Sequence, residues 1–310
     1  MSELFRISET VAEALAAGRA VVALETTLVT HGLPHPDGVR AALELEAEVA
    51  RAGAVPATIG VLDGAVRIGL EREELGRLAA AKDVTKLNLS NLAAQVGSGV
   101  PGSTTVAATM FAATRVGIEV FATGGIGGVH RDVAENGDVS ADLIALSRWP
   151  VAVVCAGAKA VLDLPKTVER LETLGVPIFG YGTDEFPAFY RRASGLPVDR
   201  RYDSPRDLAR AVRTHFALGL GSGVVVANPV PASDEMPLDV YEAALARALG
   251  DAAREGVRGR AVTPFLLERL RDLTEGKSVP VNLALLRNNA KLAAALAVEL
   301  TAGPRRAMPE

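Results

Sequence analysis

Hydrophobic residues fall into short apolar runs that alternate with longer stretches in which apolar positions recur at helical spacing. A short apolar run is typical of a strand buried on both faces, and a spacing of about 3.6 residues indicates an amphipathic helix. The predicted strands are residues 20–24, 57–62, 65–69, 84–87, 119–122, 151–155, 177–180 and 223–227. The predicted helices are residues 39–51, 71–81, 103–114 and 165–174, a helix opened by Ser204, and helices from about residue 235 onward.

This alternation predicts an α/β fold, and uniformly apolar strands need helices on both faces of their sheet. We therefore expect a three-layer α/β/α sandwich with a mixed, mostly parallel central sheet. Asp63 and Gly64 form a two-residue hairpin signal, which predicts at least one antiparallel pair. No polar linker interrupts the pattern, so residues 1–301 are predicted to form a single domain, followed by a frayed tail at 302–310.

Composition narrows the class of partner. The 310 residues carry a net charge of −4, which argues against a nucleic acid polymer but is compatible with a phosphorylated small molecule. The amino end lacks a basic segment followed by an apolar one, and no stretch approaches the ~20 apolar residues that span a bilayer. A cytoplasmic protein without membrane contact is therefore expected. The single cysteine, Cys155, lies in an apolar run and is expected to pack as a small hydrophobe.

The most informative candidate residue is Lys159, which follows the apolar residues 153–156 and the turn residue Gly157. A lysine here lies at the carboxyl edge of the predicted sheet, where α/β proteins bind ligands. Partial burial disfavours the ammonium form of an amine and leaves a nucleophile that can form an iminium with a sugar C1 or a carbonyl. A surface lysine that caps the next helix explains the spacing equally well.

Glu25 directly follows the first predicted strand. A carboxylate at that position is either a general acid or base, or a residue that braces the loop.

His31 and His35 are four residues apart, but the Gly and Pro between them argue against the helix that a two-histidine metal site would need. Glu25 therefore stays a candidate, and metal binding by the two histidines receives little weight.

Two Gly-Gly pairs, at residues 124–125 and 127–128, follow another strand end and precede His130. Glycines let the backbone approach a ligand and direct N–H groups at an anion such as a phosphate. The spacing matches neither a dinucleotide fingerprint nor a Walker loop, so a plain flexible loop is the alternative. The segment, with His130, is a candidate for substrate binding.

Asp138, Ser140 and Asp142 alternate along the chain and share one face if the stretch is extended. Two carboxylates and a hydroxyl on one face can hold a hard cation or clamp sugar hydroxyls. A solvated helix start is the alternative, because acids are also favoured in a first helical turn.

Hydroxyl-bearing residues 103–105 open a predicted helix and form a candidate phosphate seat, to which Lys86 could supply the counter-charge. A capped helix and a solvated lysine explain the same residues equally well. Asn282, Asn288 and Asn289 lie on the last predicted helix. Because Asn is a poor helix former, its presence there could indicate burial against a polar ligand.

Taken together, these segments resemble the pseudouridine-5′-phosphate glycosidase family, also called indigoidine synthase A-like. The resemblance runs in order from about residue 20 to residue 300. The matching segments are residues 23–27 with 31–32, 53–59, 122–131, 138–142, 153–159, 225–231, 263–267 and 288–290.

The resemblance implies roles for individual residues. Lys159 would form a covalent adduct at ribose C1′, and Glu25 would donate a proton. The family pattern implies manganese binding by Asp138 and substrate binding by Lys86, Val106, Ser140, Ala141, Asp142 and Asn282. It also implies a homotrimer that interconverts pseudouridine 5′-phosphate and water with uracil and ribose 5-phosphate. Two departures, Thr27 and residues 88–90, could change phosphate affinity.

The chemistry agrees with this resemblance. The base of pseudouridine is held by a carbon–carbon bond, so protonating a leaving oxygen or nitrogen cannot release it directly. An amine adduct on an opened sugar provides an electron sink, and an acid at the ring oxygen helps to open the ring.

Two alternatives are a ribokinase-like sugar kinase and a non-catalytic nucleotide-sensing module. The kinase would need a catalytic aspartate beside an anion hole late in the chain, where residues 221–223 lead only into an apolar strand. The sensing module would leave Lys159 without a chemical role.

Overall fold

The strands belong to one mixed sheet in this computed structural model, which describes residues 3–33, 36–257 and 262–303. The strands are β1 (Phe5–Ile7), β2 (Val21–Leu24), β3 (Val55–Leu62), β4 (Ala65–Ile68), β5 (Thr85–Leu87), β6 (Gly102–Thr104), β7 (Val120–Ala122), β8 (Ala152–Cys155), β9 (Ile178–Tyr181), β10 (Arg200–Tyr202) and β11 (Val224–Ala227). The helices are α1 (Glu9–Ala16), α2 (Asp37–Arg51), α3 (Arg72–Ala80), α4 (Leu92–Ser98), α5 (Val106–Arg115), α6 (Val133–Asn136), α7 (Ala141–Arg148), α8 (Leu164–Thr173), α9 (Pro205–Ala217), α10 (Leu238–Arg254), α11 (Val262–Leu273) and α12 (Ser278–Thr301).

The strand order is β1-β4-β3-β2-β7-β8-β11-β9-β10, and every pair from β3 to β10 is parallel. Strand β4 runs antiparallel to β3 through the predicted hairpin, in which Asp63 and Gly64 have φ values of 51° and 71°. Two successive positive φ values define the turn type that Asp-Gly favours. The mixed, mostly parallel sheet is confirmed.

Strand β3 is long enough to serve two parts of the sheet. Its first half pairs with β2, from Val55 to Thr58, while Gly60 and Val61 pair antiparallel with β6. Strand β5 lies parallel beside β6. The two-stranded ribbon of β5 and β6 therefore stands beyond the point where β2 ends.

Helices cover both faces of the sheet, as the apolar strands require. Helix α12 packs against β2, β7 and β8, with α2 and α9 beside it. Helix α5 packs against β2, β3 and β4, with α7 beside it. The expected three-layer arrangement is confirmed. Cys155 is fully buried in β8, and burial raises the pKa of its thiol to about 12, so it packs as the expected small hydrophobe.

Two local predictions need correction. The helix predicted at 103–114 begins only at Val106, because Gly102–Thr104 forms β6. The tertiary partners of Thr104 decide this, since its N–H donates to Thr26 Oγ1 and its hydroxyl donates to Ile59 O. The stretch from Asp138 is extended only as far as Ser140, which is the N-cap of α7, and the helix begins at Ala141.

No helix in the described part of the chain has the length and apolar character needed to cross a membrane. Of the predicted tail at 302–310, the part from residue 304 onward lies outside the described residues, as does His35.

Candidate active site

A cavity of about 80 Å³ lies at the carboxyl ends of β2, β7 and β8. Its lining brings together four of the predicted site residues, Glu25, Lys86, Lys159 and Asn282. Strand β2 leads directly into Glu25, and β8 leads to Lys159, while α12 carries Asn282. The carboxyl edge of a parallel sheet is where α/β folds place ligands, so the position of the cavity agrees with the prediction.

Backbone hydrogen bonds between two loops fix the position of Lys159. Its N–H donates to Ile126 O at 3.0 Å, and Ile126 N donates to Gly157 O at 3.1 Å. Gly157 has φ +85°, and a Cβ added there would lie 1.9 Å from Pro187 O. Only glycine fits both constraints, so the sharp turn expected after β8 is present.

Glu25 is held from the neighbouring strand. Thr123, the first residue after β7, donates a hydrogen bond from Oγ1 to Glu25 Oε1. Thr123 N in turn donates to Val154 O at 3.0 Å. We call Glu25, Thr123 and Lys159 the strand-end wall of the cavity.

A second part of the lining comes from the β5–β6 ribbon, through Lys86, and from the turn next to it, through His31. Lys86 lies on β5 and Ser103 on β6, while His31 belongs to a π-helical turn, Leu28–Gly32. His31 Nδ1 lies 2.6 Å from Thr30 Oγ1 and 3.3 Å from Ser103 Oγ. We call Lys86 and His31, which line the cavity, together with the neighbouring Ser103, which does not, the ribbon wall. Turns of the π type are often found at functional sites.

The ribbon wall has an unusual electrostatic environment. Burial lowers the pKa of Lys86, the nearby Lys159 ammonium lowers it further, and Glu25 and Asp142 partly oppose this shift. Burial and the charge of Lys86 lower the pKa of His31, although a hydrogen bond to the Val84 backbone opposes that shift. Two cationic side chains in one half-buried cavity make it suited to an anionic ligand.

Neither the Lys86 nor the Lys159 amine has a hydrogen-bond or ion-pair partner among the residues that the structure describes. Their donors are therefore available to a ligand. Asn282 adds an amide that can both donate and accept.

Six other predicted residues, all within the described ranges, lie outside this lining: Val106, His130, Asp138, Ser140, Ala141 and Asp142. Asp142 is buried, and its two oxygens accept hydrogen bonds from Ala107 N at 2.9 Å and Gly127 N at 2.8 Å. Ser140 caps α7 by accepting from Asp142 N. The Asp142 carboxylate thus ties the start of α7 to the start of α5 and to the glycine loop.

The two Gly-Gly pairs have different structural roles. Gly124 and Gly125 line the cavity, whereas the Gly127 N–H is taken by Asp142. A Cβ at Gly128 would lie 2.4 Å from Thr167 Oγ1. The first pair permits close approach to a ligand, and the second permits close packing of the loop on its own scaffold.

His130 Nε2 lies 3.9 Å from Oδ2 of Asp138, the residue that the family resemblance implies as a manganese ligand. The described residues contain no group of three or more His, Cys, Asp or Glu side chains that could hold a metal. A single carboxylate with one imidazole nearby fits a hard cation that keeps most of its water ligands.

Sequence reasoning missed Phe189, which lines the cavity with a backbone φ of +63°. A large residue in the left-handed region is unusual, and no local pattern signals it. Asn288 and Asn289 do not line the cavity, and their amides contact Pro229 O and Thr123 O instead. Thr123 could have been singled out, because it is the first polar residue after a buried strand.

The half-buried cavity at the sheet edge brings together two amines, a carboxylate and an amide. These groups are typical of an α/β enzyme that acts on a small molecule. A sequence profile described as "Indigoidine synthase A like protein" matches residues 10–299 of this chain. The chain belongs to the pseudouridine-5′-phosphate glycosidase family, also described as indigoidine synthase A-like. The resemblance drawn from the sequence is confirmed, and membership excludes the sugar-kinase alternative.

Named relatives cover nearly the whole chain. It is 57% identical over 300 residues to the pseudouridine-5′-phosphate glycosidase of Methylobacterium nodulans, covering 97% of this chain and 89% of the relative. It is 48% identical over 300 residues to the protein of that name from Caldanaerobacter subterraneus subsp. tengcongensis, covering 97% and 98%.

Two solved structures share the fold. The prealnumycin C-glycosynthase AlnA, crystallised with ribulose 5-phosphate, has a TM-score of 0.90 at 37% identity, covering 97% of this chain and 98% of AlnA. An indigoidine synthase A-like protein from Thermotoga maritima has a TM-score of 0.87 at 35% identity, with the same two coverages.

Proposed function

We propose that this enzyme reversibly cleaves pseudouridine 5′-phosphate to uracil and ribose 5-phosphate through a lysine–ribose covalent adduct. Family membership supports the reaction. The observation that carries the adduct is that Lys159 and Glu25 line one cavity from strand ends on either side of β7. A nucleophile and an acid held by two parallel strands that flank a third can reach the same sugar.

In the proposed reaction Glu25 donates a proton to the ribose ring oxygen as the C1′–O4′ bond breaks. The neutral amine of Lys159 bonds to C1′ and releases a proton to solvent. Uracil C5 takes up a proton from solvent, which replaces the proton that Lys159 released, and the bond between C1′ and C5 then breaks with its electron pair staying with uracil. The nitrogen lone pair forms the iminium at C1′, and water hydrolyses it to ribose 5-phosphate and free amine.

The ribbon wall would hold the phosphate. Lys86 supplies a cation without a protein partner among the described residues, and Ser103 supplies a hydroxyl beside it. Val106 would contribute through its backbone, because it is the first residue of α5 and its N–H has no acceptor within the helix. The AlnA neighbour was crystallised with a five-carbon sugar phosphate, which supports this class of ligand.

Asn282 would bind the base or the ribose hydroxyls, since its amide lines the same cavity. Binding by His130 rests on its place in the glycine-rich segment, and binding by residues 140–142 rests on the sequence pattern and the family resemblance. Asp138, with His130 nearby, would hold Mn²⁺ through one carboxylate and water. A bound hard cation would supply positive charge to substrate oxygens. Assembly as a homotrimer also rests on the resemblance, and light scattering would test it.

Borohydride trapping tests the adduct. Incubation with ribose 5-phosphate and borohydride should add one reduced sugar phosphate, mapped to the peptide that contains Cys155 and Lys159. An iminium is reduced to a stable secondary amine, whereas a non-covalent complex leaves no label. Mass spectrometry of the digested protein makes the measurement.

Lys86 is the internal control, because its amine lines the same cavity. Lys159→Ala should lose both the label and turnover while Lys86→Ala retains the label. A label on Lys86 would assign the nucleophile to the ribbon wall instead. If neither lysine is labelled, and both the wild-type protein and Lys159→Ala bind ribose 5-phosphate without any turnover, the non-catalytic sensing alternative gains support. Normal turnover by Lys159→Ala would instead show that Lys159 is not the nucleophile.

A further inference from the structure

Hydrogen bonds lead from the interior of the protein to the Glu25 carboxylate. Asn228 Nδ2 donates to Asn289 Oδ1 at 2.9 Å, and Asn289 Nδ2 donates to Thr123 O at 2.8 Å. Thr123 Oγ1 then donates to Glu25 Oε1. Asn228, Asn289 and Thr123 are 4%, 0% and 2% exposed, so water does not compete for the two bonds that Asn289 makes. We call these three residues the asparagine–threonine network.

Asn289 lies where an apolar residue would otherwise be expected. Its neighbours on α12, Leu285, Leu286, Ala290 and Ala293, are all buried. A buried amide is costly unless its polar atoms are bonded, and Asn is a poor helix former. Both ends of this amide are bonded, one to the end of β7 and one to the end of β11. The amide thereby fixes α12 against these two strand ends.

Thr123 has every polar group committed. Its N–H donates to Val154 O, its carbonyl accepts from Asn289, and its hydroxyl donates to Glu25. The side chain of Glu25 has no other hydrogen-bond partner among the residues that the structure describes. Within that part of the chain, Thr123 alone orients the carboxylate.

We propose that Thr123 is a positioning residue for the reaction, holding the Glu25 carboxyl group toward the sugar, and that Asn289 and Asn228 hold Thr123 in place. This inference rests on the proposed role of Glu25 as proton donor. Among the described residues, no hydrogen bond joins the network to the ribbon wall. Its loss should therefore lower kcat and leave KM for ribose 5-phosphate unchanged.

Thr123→Val and Thr123→Ser form the matched pair that tests this. Valine keeps the shape and removes the hydroxyl, so kcat should fall by about tenfold, the scale of one lost hydrogen bond to an ionised group. Serine keeps the hydroxyl and should restore most of that loss. Steady-state kinetics in the direction of pseudouridine 5′-phosphate synthesis gives both constants. A normal kcat in Thr123→Val, or an equally slow Thr123→Ser, would overturn the proposal.

The same valine substitution in a Glu25→Gln background separates the positioning role of Thr123 from the proposed role of Glu25 as proton donor. If Thr123 acts through Glu25, Thr123→Val causes no further loss in that background. An equal loss in both backgrounds overturns the positioning role and leaves the role of Glu25 intact. Wild-type turnover in Glu25→Gln alone overturns the role of Glu25, and this inference with it.

The neighbouring asparagines of α12 supply a further control. Asn288 Nδ2 donates to Pro229 O at 3.0 Å and does not contact Thr123. Asn289→Ala should lower kcat at constant KM, whereas Asn288→Ala should change neither constant. Equal losses in the two variants would show a general effect on α12 packing and overturn the role of Asn289.

Discussion

The two walls of the cavity are built in different ways. Glu25, Thr123 and Lys159 follow the ends of β2, β7 and β8, each of which is hydrogen-bonded to a strand on both sides. Lys86 lies on β5, a three-residue strand that pairs only with β6 in the described part of the sheet. The strand-end wall, to which we assign bond making, is thus anchored in the core. The ribbon wall, to which we assign phosphate binding, lies on a two-stranded ribbon.

The difference suits the two tasks. Proton donation and attack at one carbon need atoms held within a fraction of an ångström, which central strands provide. Attraction between an ammonium and a phosphate falls off slowly with distance, so it tolerates a less constrained support. The comparison therefore predicts that damage to the two walls has different kinetic signatures.

The largest effect is expected when the key lysine of each wall is removed. Lys159→Ala should lower kcat by about 10³-fold or more, because it removes a group that acts in the transition state. Lys86→Ala should mainly raise KM for ribose 5-phosphate, by about 10- to 100-fold, the scale of a lost charged hydrogen bond. Initial-rate measurements with uracil in excess separate the two constants. Identical effects on kcat and KM in both variants would remove the distinction between the walls.

A second test asks whether activity needs a metal ion bound at Asp138, which lies outside both walls. If Mn²⁺ bound at Asp138 takes part, a chelator should abolish activity, and added Mn²⁺ should restore it. One carboxylate with water gives weak, exchangeable binding, so the loss should be rapid and reversible.

Asp138→Ala should weaken Mn²⁺ binding as followed by electron paramagnetic resonance. Asp132→Ala, which removes an exposed carboxylate from the same loop, should not. Full turnover by metal-stripped protein would refute a role for the cation.

The smallest effect concerns pH. Because burial and Lys159 lower the pKa of Lys86, this ammonium loses its proton at a lower pH than a free lysine. The phosphate loses its counter-charge as pH rises through that pKa, so KM for ribose 5-phosphate should rise severalfold toward alkaline pH. Lys86→Arg keeps its charge and should abolish the alkaline rise. The surface variant Lys166→Arg should retain it, and a flat wild-type KM profile would contradict the assignment.

Much of the fold could be predicted because its signals are local in sequence. Apolar runs identified the central strands, and Asp63-Gly64 identified the hairpin. The strand-edge rule singled out Glu25 and Lys159 from their positions after β2 and β8. By contrast, the site role of Val106 came only from the family resemblance, since its residue type does not signal chemistry. Asn282 was also indicated by its residue type, because Asn is a poor helix former.

The predictions that failed did so because contacts between residues distant in sequence decide the structure at those positions. Residues 102–104 became a strand because Thr104 bonds to Ile59 and Thr26, partners that are distant in sequence. Asp142 looked like a ligand for cation or sugar, yet its oxygens accept from two backbone N–H groups of the scaffold. Phe189 enters the cavity through a left-handed backbone angle that no periodic pattern encodes.

The close approach of Gly157 to the Pro187 carbonyl couples the sequence changes that are possible in two segments thirty residues apart. Since a Cβ at position 157 would lie 1.9 Å from that oxygen, any side chain there must displace the segment that carries Phe189. An insertion or a shift around residue 187 would be transmitted directly to Lys159. During divergence the two buried segments can change only as a pair, so a substitution of a kind that the surface tolerates becomes inactivating here without altering a functional group.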